Sequence, residues 1–353
     1  SFLPIVKKDV EEALGVTIKL KPTELTQSAQ DATTDNRVAN MVTFRFFSTP
    51  ARLNPNSTLK RWDVDRAGNR GGMNPSQYAS CEYTRYRRQQ AAATSLEQQQ
   101  EAVTNALAEM TKDYVNFPVA SNNQYGLART DAVAARNIGK SGIAEVNPVF
   151  FIESQPKGSN RFTANCEPVM TETTNFYNIH SIVSLVPWNH LIHSTLLEYD
   201  EEWNLTNNLA EEFSIENDGK RVVVDLRQAS FHNGDPITSE DVQFTFQHIW
   251  ENPDLNGLIT VPPYDSIELI DDRSLEFNLT EPFIALVDQE FTKWGIIHKD
   301  SWVESGARED PANADIDPVI GSGPFRLVNI EKGQSLVLEG VDTHPIHKPD
   351  HDV

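Results

Sequence analysis

His344, His347 and His351 fall near the end of the chain beside Asp342, Asp350 and Asp352, and imidazoles with carboxylates are donors suited to nickel, copper or zinc. Pro345 and Pro349 divide the run, so it reads as an extended loop carrying a solvated cluster in preference to a preformed cage. A metal-assisted hydrolase is the catalytic chemistry such a tail would permit. His232-Asn233-Gly234-Asp235 also sets an imidazole beside a carboxylate. The acid pairs Glu201-Glu202, Glu211-Glu212 and Asp271-Asp272 are adjacent in sequence. Paired-carboxylate catalysis needs two acids facing each other across a cleft, so these read as solvated faces. No nucleophile elbow, phosphate-binding glycine loop or HExxH motif occurs, and an enzyme is not expected.

The clearest structural signal lies from Val222 to Trp250. Val222, Val223, Val224 and Leu226 form a β-branched run suited to a strand buried on at least one face. Asn233-Gly234 and Asp235-Pro236 then demand a reversal. Thr238 reads as a helix N-cap with Asp241 in the capping-box position, and Val242, Phe246, Ile249 and Trp250 share the inward face. Asn252-Pro253 stops the helix.

The literal string "LRQASFHNGDPITSEDVQFTF" resembles the hallmark segment of family 5 extracellular solute-binding proteins, the peptide- and nickel-binding components of ABC importers. The run from Asn189 to Lys220 and the turn "GSGPFRL", Gly321 to Leu327, are similar to that family's flanking islands and stand in its order over Thr171 to Val353. The resemblance implies an α/β, type II periplasmic-binding-protein-like fold, mixed sheets flanked by helices, with lobe one largely complete and lobe two partial. It makes the His232–Asp235 turn structural. It implies capture of peptides or similar small polar solutes for an ABC permease, at a cleft between lobes, outside the cell or in a periplasm. A nickel-type receptor is the alternative. No cofactor is implied, and a membrane would be met only through an anchor or permease.

Earlier stretches resemble later parts of the same family. Residues 1–50 are similar to the late part of lobe two plus a hinge strand, 51–140 to the closing return to lobe one, 141–170 read as a linker, and 171–353 as lobe one. That order is permuted and leaves much of the second lobe missing. A natural permutation, a fragment across two tandem proteins and an assembled chain all remain open. The two halves are expected to complement each other in one body through shared strands.

Within that resemblance the ligand-binding candidates are Phe46, Phe47, Ser48 and Thr49 on the hinge-like strand Met41–Thr49, and Trp188, Asn189 and His190 ahead of lobe one. Dipeptide-type members carry a tryptophan and then an aspartate near the hinge for the ligand's amine, and this chain shows no such acid there. Phe46 and Phe47 serve equally as core. Trp188 could stack on a ligand or fill the core, with Asn189 and His190 hydrogen-bonding a ligand or capping the turn.

Other periodicities predict a helix before Gly15, a strand through Val16, Ile18 and Leu20, and a helix from about Ser95 to Lys112 with Val103, Leu107 and Met110 inward. Ser266–Ile270 and Ser274–Leu279 read as paired strands, with a sequon at Asn278 and a helix near Pro282–Phe291.

Charge divides the chain. Residues 1–147 hold 18 Lys/Arg against 15 Asp/Glu, and residues 148–353 hold 12 against 36, within a net charge of −21. Such an acidic surface repels phosphates and argues against nucleic acid; a high-salt source would give the same imbalance. With 39% hydrophobic residues and no apolar run of membrane-spanning length, a soluble body is expected. Ser1 opens no basic-then-apolar leader, so any signal or anchor is expected to lie outside this chain. Cys81 and Cys166 match no metal spacing and could form a disulfide or remain two thiols.

Overall fold

The alternation of Val222, Val224 and Leu226 with Arg221, Val223 and Asp225 sets the centre of the fold, because in a strand successive side chains face opposite ways. A computed structural model describes residues 3–20, 54–67, 74, 76–93, 95–115, 127–136, 148–164, 174–175, 187–253, 261–311 and 313–353. Over the described residues the chain is α/β. The strands in chain order are β1 Val133–Ala134, β2 Gln155–Pro156, β3 Leu197–Tyr199, β4 Leu205–Asn207, β5 Ala210–Glu216, β6 Arg221–Leu226, β7 Tyr264–Asp271, β8 Ser274–Leu279, β9 Phe325–Glu331 and β10 Ser335–Gly340.

The largest sheet has the order β5-β6-β8-β7, each pair antiparallel. Its outward rows are polar; Glu216, Arg221 and Asn278 lie side by side, and Arg221 pairs with both Glu216 and Glu276. The turn from β5 to β6 holds Asn217, Asp218 and Gly219 all at positive φ, and Gly219 at +85° takes the least tolerated of these for a side chain.

Helix Ser239–Glu251 crosses the inward face. Asp241 Oδ2 accepts from the Thr238 backbone N–H at 3.0 Å and from its hydroxyl at 2.9 Å, so the expected cap is present. Val242, Phe246, Ile249 and Trp250 are all buried, as the 3.6-residue period requires. Phe246 meets Phe277 of β8 edge to face at 5.4 Å and Phe291 at 5.5 Å. The expected paired strands are β7 and β8, and Asn278 sits inside β8 with its amide bonded to Ser266 and Glu276. The apolar run after Pro282 forms a π-helical turn, Leu286–Glu290, that continues into Phe291–Lys293.

The early residues form a smaller unit. Helices Cys81–Ala91 and Leu96–Lys112 enclose a second core of Leu59, Trp62, Tyr83, Ala106 and Met110, and the Tyr83 hydroxyl donates to the Leu59 carbonyl at 2.6 Å. Ser95 caps the second helix by accepting from Gln98 N–H at 3.3 Å. Its inward face agrees with expectation at two positions of three: Met110 is buried and Val103 packs on this core, while Leu107 is 48% exposed and Ala106 is buried instead. Helix Leu3–Leu14 ends at Gly15, φ +67°, as its sequence predicts. The strand expected from Val16 to Leu20 is not formed; the Ile18 N–H instead donates to Glu11 Oε1 at 2.6 Å, which removes a donor a ladder would need. Cys81 is an exposed free thiol, and Cys166 lies outside the described residues.

Front and back join through side chains and single backbone bonds. Among the described residues no strand before β3 pairs with a later one; Arg161 and Asp352 form an isolated parallel bridge. Asn54 Nδ2 lies 2.9 Å from each oxygen of Asp288, and Ile284 N–H donates to the Ala91 carbonyl at 3.2 Å. Within the stretch read as a linker, helix Pro148–Glu153 carries Phe150, Phe151 and Ile152 into the main core, where Phe162 joins them. Phe162 N–H donates to the Asp352 carbonyl at 2.7 Å.

Candidate functional site

Helix Pro187–Ile192 is short because Pro187 opens it and the chain leaves helical geometry after Ile192. Its last carbonyl is not wasted on solvent. Ile192 O accepts from Ser322 N–H at 2.9 Å and from Gly323 N–H at 2.7 Å, so the helix end is capped by the Gly321-Ser322-Gly323-Pro324 turn. The fit is close enough to require glycine. A methyl on Gly323 would overlap the Leu191 carbonyl oxygen and lie 2.7 Å from the Leu191 and Ile192 carbonyl carbons. One on Gly321 would overlap the Ile192 carbonyl oxygen and sit 2.8 Å from Ile192 Cγ2.

Three further side chains lock this junction. His232 N–H donates to the Gly321 carbonyl at 2.8 Å, and its Nε2 lies 2.9 Å from the Gly323 carbonyl. A carbonyl only accepts, so Nε2 carries the proton. The Ser194 backbone N–H donates to Ser322 Oγ at 3.1 Å, and the Ser194 hydroxyl donates to the Ser322 carbonyl at 3.0 Å. That leaves His344 Nε2, 2.9 Å away, as donor to Ser194 Oγ, while His344 Nδ1 accepts from His347 N–H at 2.8 Å. The His344 ring is therefore neutral in this arrangement. Burial pushes His344 down to about 3, with the neighbouring His347 and His232 adding to it, and burial with His232 and His190 pushes His193 down to about 3.

The histidine tail is thus bound into the protein. His347 stacks on His344 at 5.3 Å and its Nε2 meets Glu198 Oε1 at 2.8 Å, and His351 donates from Nε2 to the Phe151 carbonyl at 2.8 Å. The solvated loop expected from Pro345 and Pro349 is corrected for His344 and His351, which are buried, because each ring finds a fixed partner in the adjoining core. Among the described residues no three His, Cys, Asp or Glu side chains are placed to hold a metal ion. The His232–Asp235 turn has the structural role expected. Asn233 Oδ1 accepts from Asp235 N–H at 3.1 Å, and Asp235 Oδ2 meets His298 Nε2 at 3.0 Å.

Of the ligand candidates, Phe46, Phe47, Ser48 and Thr49 lie outside the described residues, as does the side chain of Trp188. Asn189 is wholly buried and neither its Oδ1 nor its Nδ2 has a hydrogen-bond partner. A buried amide left in that state costs free energy that an arriving polar group would recover. His190 is half-buried and uses Nε2 on the Lys293 carbonyl at 3.1 Å. Two features escaped the sequence reading. One is the ionic seam of buried Glu290, Lys293 and Lys60 with half-buried Asp288; only the Glu290–Lys293 spacing of three hinted at it. The other is a cleft of about 540 Å³ between hairpin β9–β10 and the chain end, walled in part by Arg326, Glu339, Asp342 and Asp350.

Residues 204–345 match the model of the middle region of bacterial extracellular solute-binding proteins, family 5. The matched segment contains the four-stranded sheet, the capped helix, His232 and the glycine turn, and takes in two of the three strings that carried the resemblance over 171–353 and part of the third. Asn189 and His351 lie beyond its bounds. Among relatives, "Probable peptide-binding protein YejA" of Agrobacterium fabrum is 28% identical over 161 residues, 44% of this chain and 26% of that protein. "Peptide transport periplasmic protein SapA" of Salmonella typhimurium is 25% identical over 174 residues, 43% of this chain and 31% of that protein. The chain thus spans about a quarter to a third of the length of the curated relatives it matches. The oligopeptide-binding protein AppA of Bacillus subtilis, solved with a nonapeptide, aligns with a TM-score of 0.43 at 24% identity, covering 47% of this chain and 34% of that one. No helix among the described residues is long and apolar enough to cross a membrane.

Proposed function

We propose that this chain is part of an extracellular receptor that captures peptides or comparable small polar solutes and delivers them to an ABC permease. The observation that carries this reading is the family 5 match over residues 204–345, on a body whose glycine turn is welded to helix Pro187–Ile192. Asn189, in that helix, supplies a buried unpaired amide of the kind a ligand's peptide group would satisfy. Enclosure would be a hinge motion in which the closed form gains only from contacts the ligand makes there. In this reading residues 1–50 and 51–140 supply pieces of lobe two and the return to lobe one, 141–170 join them, 171–353 form lobe one, and Phe46–Thr49 and Trp188 face the ligand. The permease, the peptide ligand and the extracellular or periplasmic setting are all part of the proposal.

A nickel-type receptor draws less support, because His344, His347 and His351 already spend ring nitrogens on protein partners. Isothermal titration of the chain with a mixture of di- to pentapeptides, and separately with Ni²⁺, tests the choice. Saturable peptide heat is expected. Heat from Ni²⁺ with none from peptides would replace the first reading with the second, and hydrolysis abolished by a chelator would replace both.

A further inference from the structure

The geometry points to a second binding site, in the cleft between hairpin β9–β10 and residues 341–352, for a cationic hydrogen-bond donor: a primary ammonium or a guanidinium. The inference stands on this cleft alone and does not rest on the importer reading.

His351 is the residue that decides the chemistry. It is 1% exposed, and its Nε2 lies 2.8 Å from the Phe151 carbonyl. That oxygen can only accept, so Nε2 carries a proton, and Nδ1 offers a lone pair whenever it carries none. Nδ1 is buried without a hydrogen-bond partner, and the Asp350 carboxylate, a wall of the cleft, stands 3.6 Å from it. With Nδ1 unprotonated the two are acceptors facing each other, and they repel unless a donor lies against both. A group bearing several N–H bonds and a positive charge satisfies both at once.

The remaining lining agrees. Asp342 adds a carboxylate, while Arg326 and Glu339 offset each other, Arg326 donating from Nε and Nη2 to Glu339 Oε2 at 3.0 and 2.7 Å. His232, which also lines the cleft, has its proton on Nε2 and leaves Nδ1 buried and unpartnered. Acceptors therefore dominate a cleft whose volume, about 540 Å³, suits a small ligand. A bare metal ion fits less well, since among the described residues no three His, Cys, Asp or Glu side chains converge on one point.

The full chain is titrated with agmatine, which carries a guanidinium and an ammonium, and with glutarate as the anionic control, while ¹⁵N-histidine spectra follow the ring nitrogens. Saturable agmatine binding with a shift of the His351 Nδ1 resonance is expected, with glutarate silent. Asp350→Asn, at a side chain 75% exposed that can still accept from Gln155, is expected to fold normally and to weaken agmatine at least tenfold. Equal affinity in that variant overturns the proposal. So does a free protein in which His351 is already doubly protonated and paired with Asp350 at neutral pH, or a cleft that binds Zn²⁺ but not agmatine.

Discussion

His232 Nε2 and the Gly323 carbonyl oxygen stand 2.9 Å apart, so the imidazole of one turn and the backbone of another, 91 residues on, form a single rigid unit. The same turn receives the end of helix Pro187–Ile192 through two N–H bonds to Ile192. Gly323→Ala forces a methyl into the Leu191 carbonyl, and neither backbone can retreat without breaking these bonds. Overpacking of this kind costs about 1–3 kcal/mol or more. Gly333→Ala, at φ +72° with nothing within 4 Å of the new methyl, carries only the cost of left-handed backbone, about 1 kcal/mol. Urea midpoints of the two variants compared with the parent check the difference; equal shifts would remove the junction from the stability argument.

Acid is expected to unfold this protein early. His193 and His344 are held down to about 3 and His248 to about 4, burial being the first cause for each. The unfolded chain takes up protons near pH 6.5 while the folded one does not, so these residues' contribution is whole above 6.5 and is lost as pH falls toward 3–4. Three groups act in the opposite sense, the first being Asp63, whose carboxyl is raised by burial against the pull of Arg87. Burial, opposed by the Asn54 amide, lifts Asp288 to about 6, and a carboxyl raised in the fold favours it at low pH and loses that contribution as pH rises through 6. Burial resists charge on His347, but the Glu198 hydrogen bond and charge outweigh it and raise its pKa. The histidines held neutral outweigh these, and the net expectation is a urea midpoint that falls steadily from pH 7 to pH 4.5. A midpoint flat over that range would contradict the assigned burial.

Where the local signals agreed with one another, the fold was legible. From Val222 to Trp250 the β-branched run, the Asn233-Gly234 turn, the Thr238 cap and the helical period all specify one arrangement, and it is the one observed. The glycine turn was legible as a string but not as a junction, because its partner Ile192 lies about 130 residues away and leaves no local mark. Phe150, Phe151 and Phe162 looked like loop residues since three aromatics among Gly, Pro and polar residues make no period, yet they are core. Leu107 was misplaced because periodicity gives a stripe, not which edge of that stripe a neighbouring helix covers. The cleft around Asp350 and His351 depends on residues drawn from hairpin, tail and residue 160, and a chain read in order does not assemble them.

Removing the cap of the central helix offers a graded test. Asp241 Oδ2 serves Thr238, while Oδ1 accepts from the Lys299 N–H at 3.2 Å at the start of helix Lys299–Glu304. Asp241→Ala therefore uncaps one helix and releases a donor of another, and about 2 kcal/mol is expected against roughly 1 for Thr238→Ala. Thermal or urea denaturation of both variants orders them; a smaller loss in Asp241→Ala would mean that the Lys299 contact contributes nothing.

The ionic seam answers whether front and back are one folding unit. Glu290 is fully buried; its Oε1 accepts from Lys293 Nζ at 2.9 Å and its Oε2 from Trp294 Nε1 at 2.7 Å, while Lys60 of the early unit lies within its field. Burial lowers Lys293, and Glu290 raises it in return. Glu290→Ala leaves buried Lys293 without the carboxylate it pairs with, a change that costs about 3–5 kcal/mol. Because Lys60 belongs to the unit of Leu59, Trp62 and Tyr83, the loss is expected to loosen that unit as well as the sheet. Hydrogen exchange read separately over residues 81–112 and 210–279 checks this. Protection lost only in the second segment would show that the two units fold independently and that the seam joins nothing.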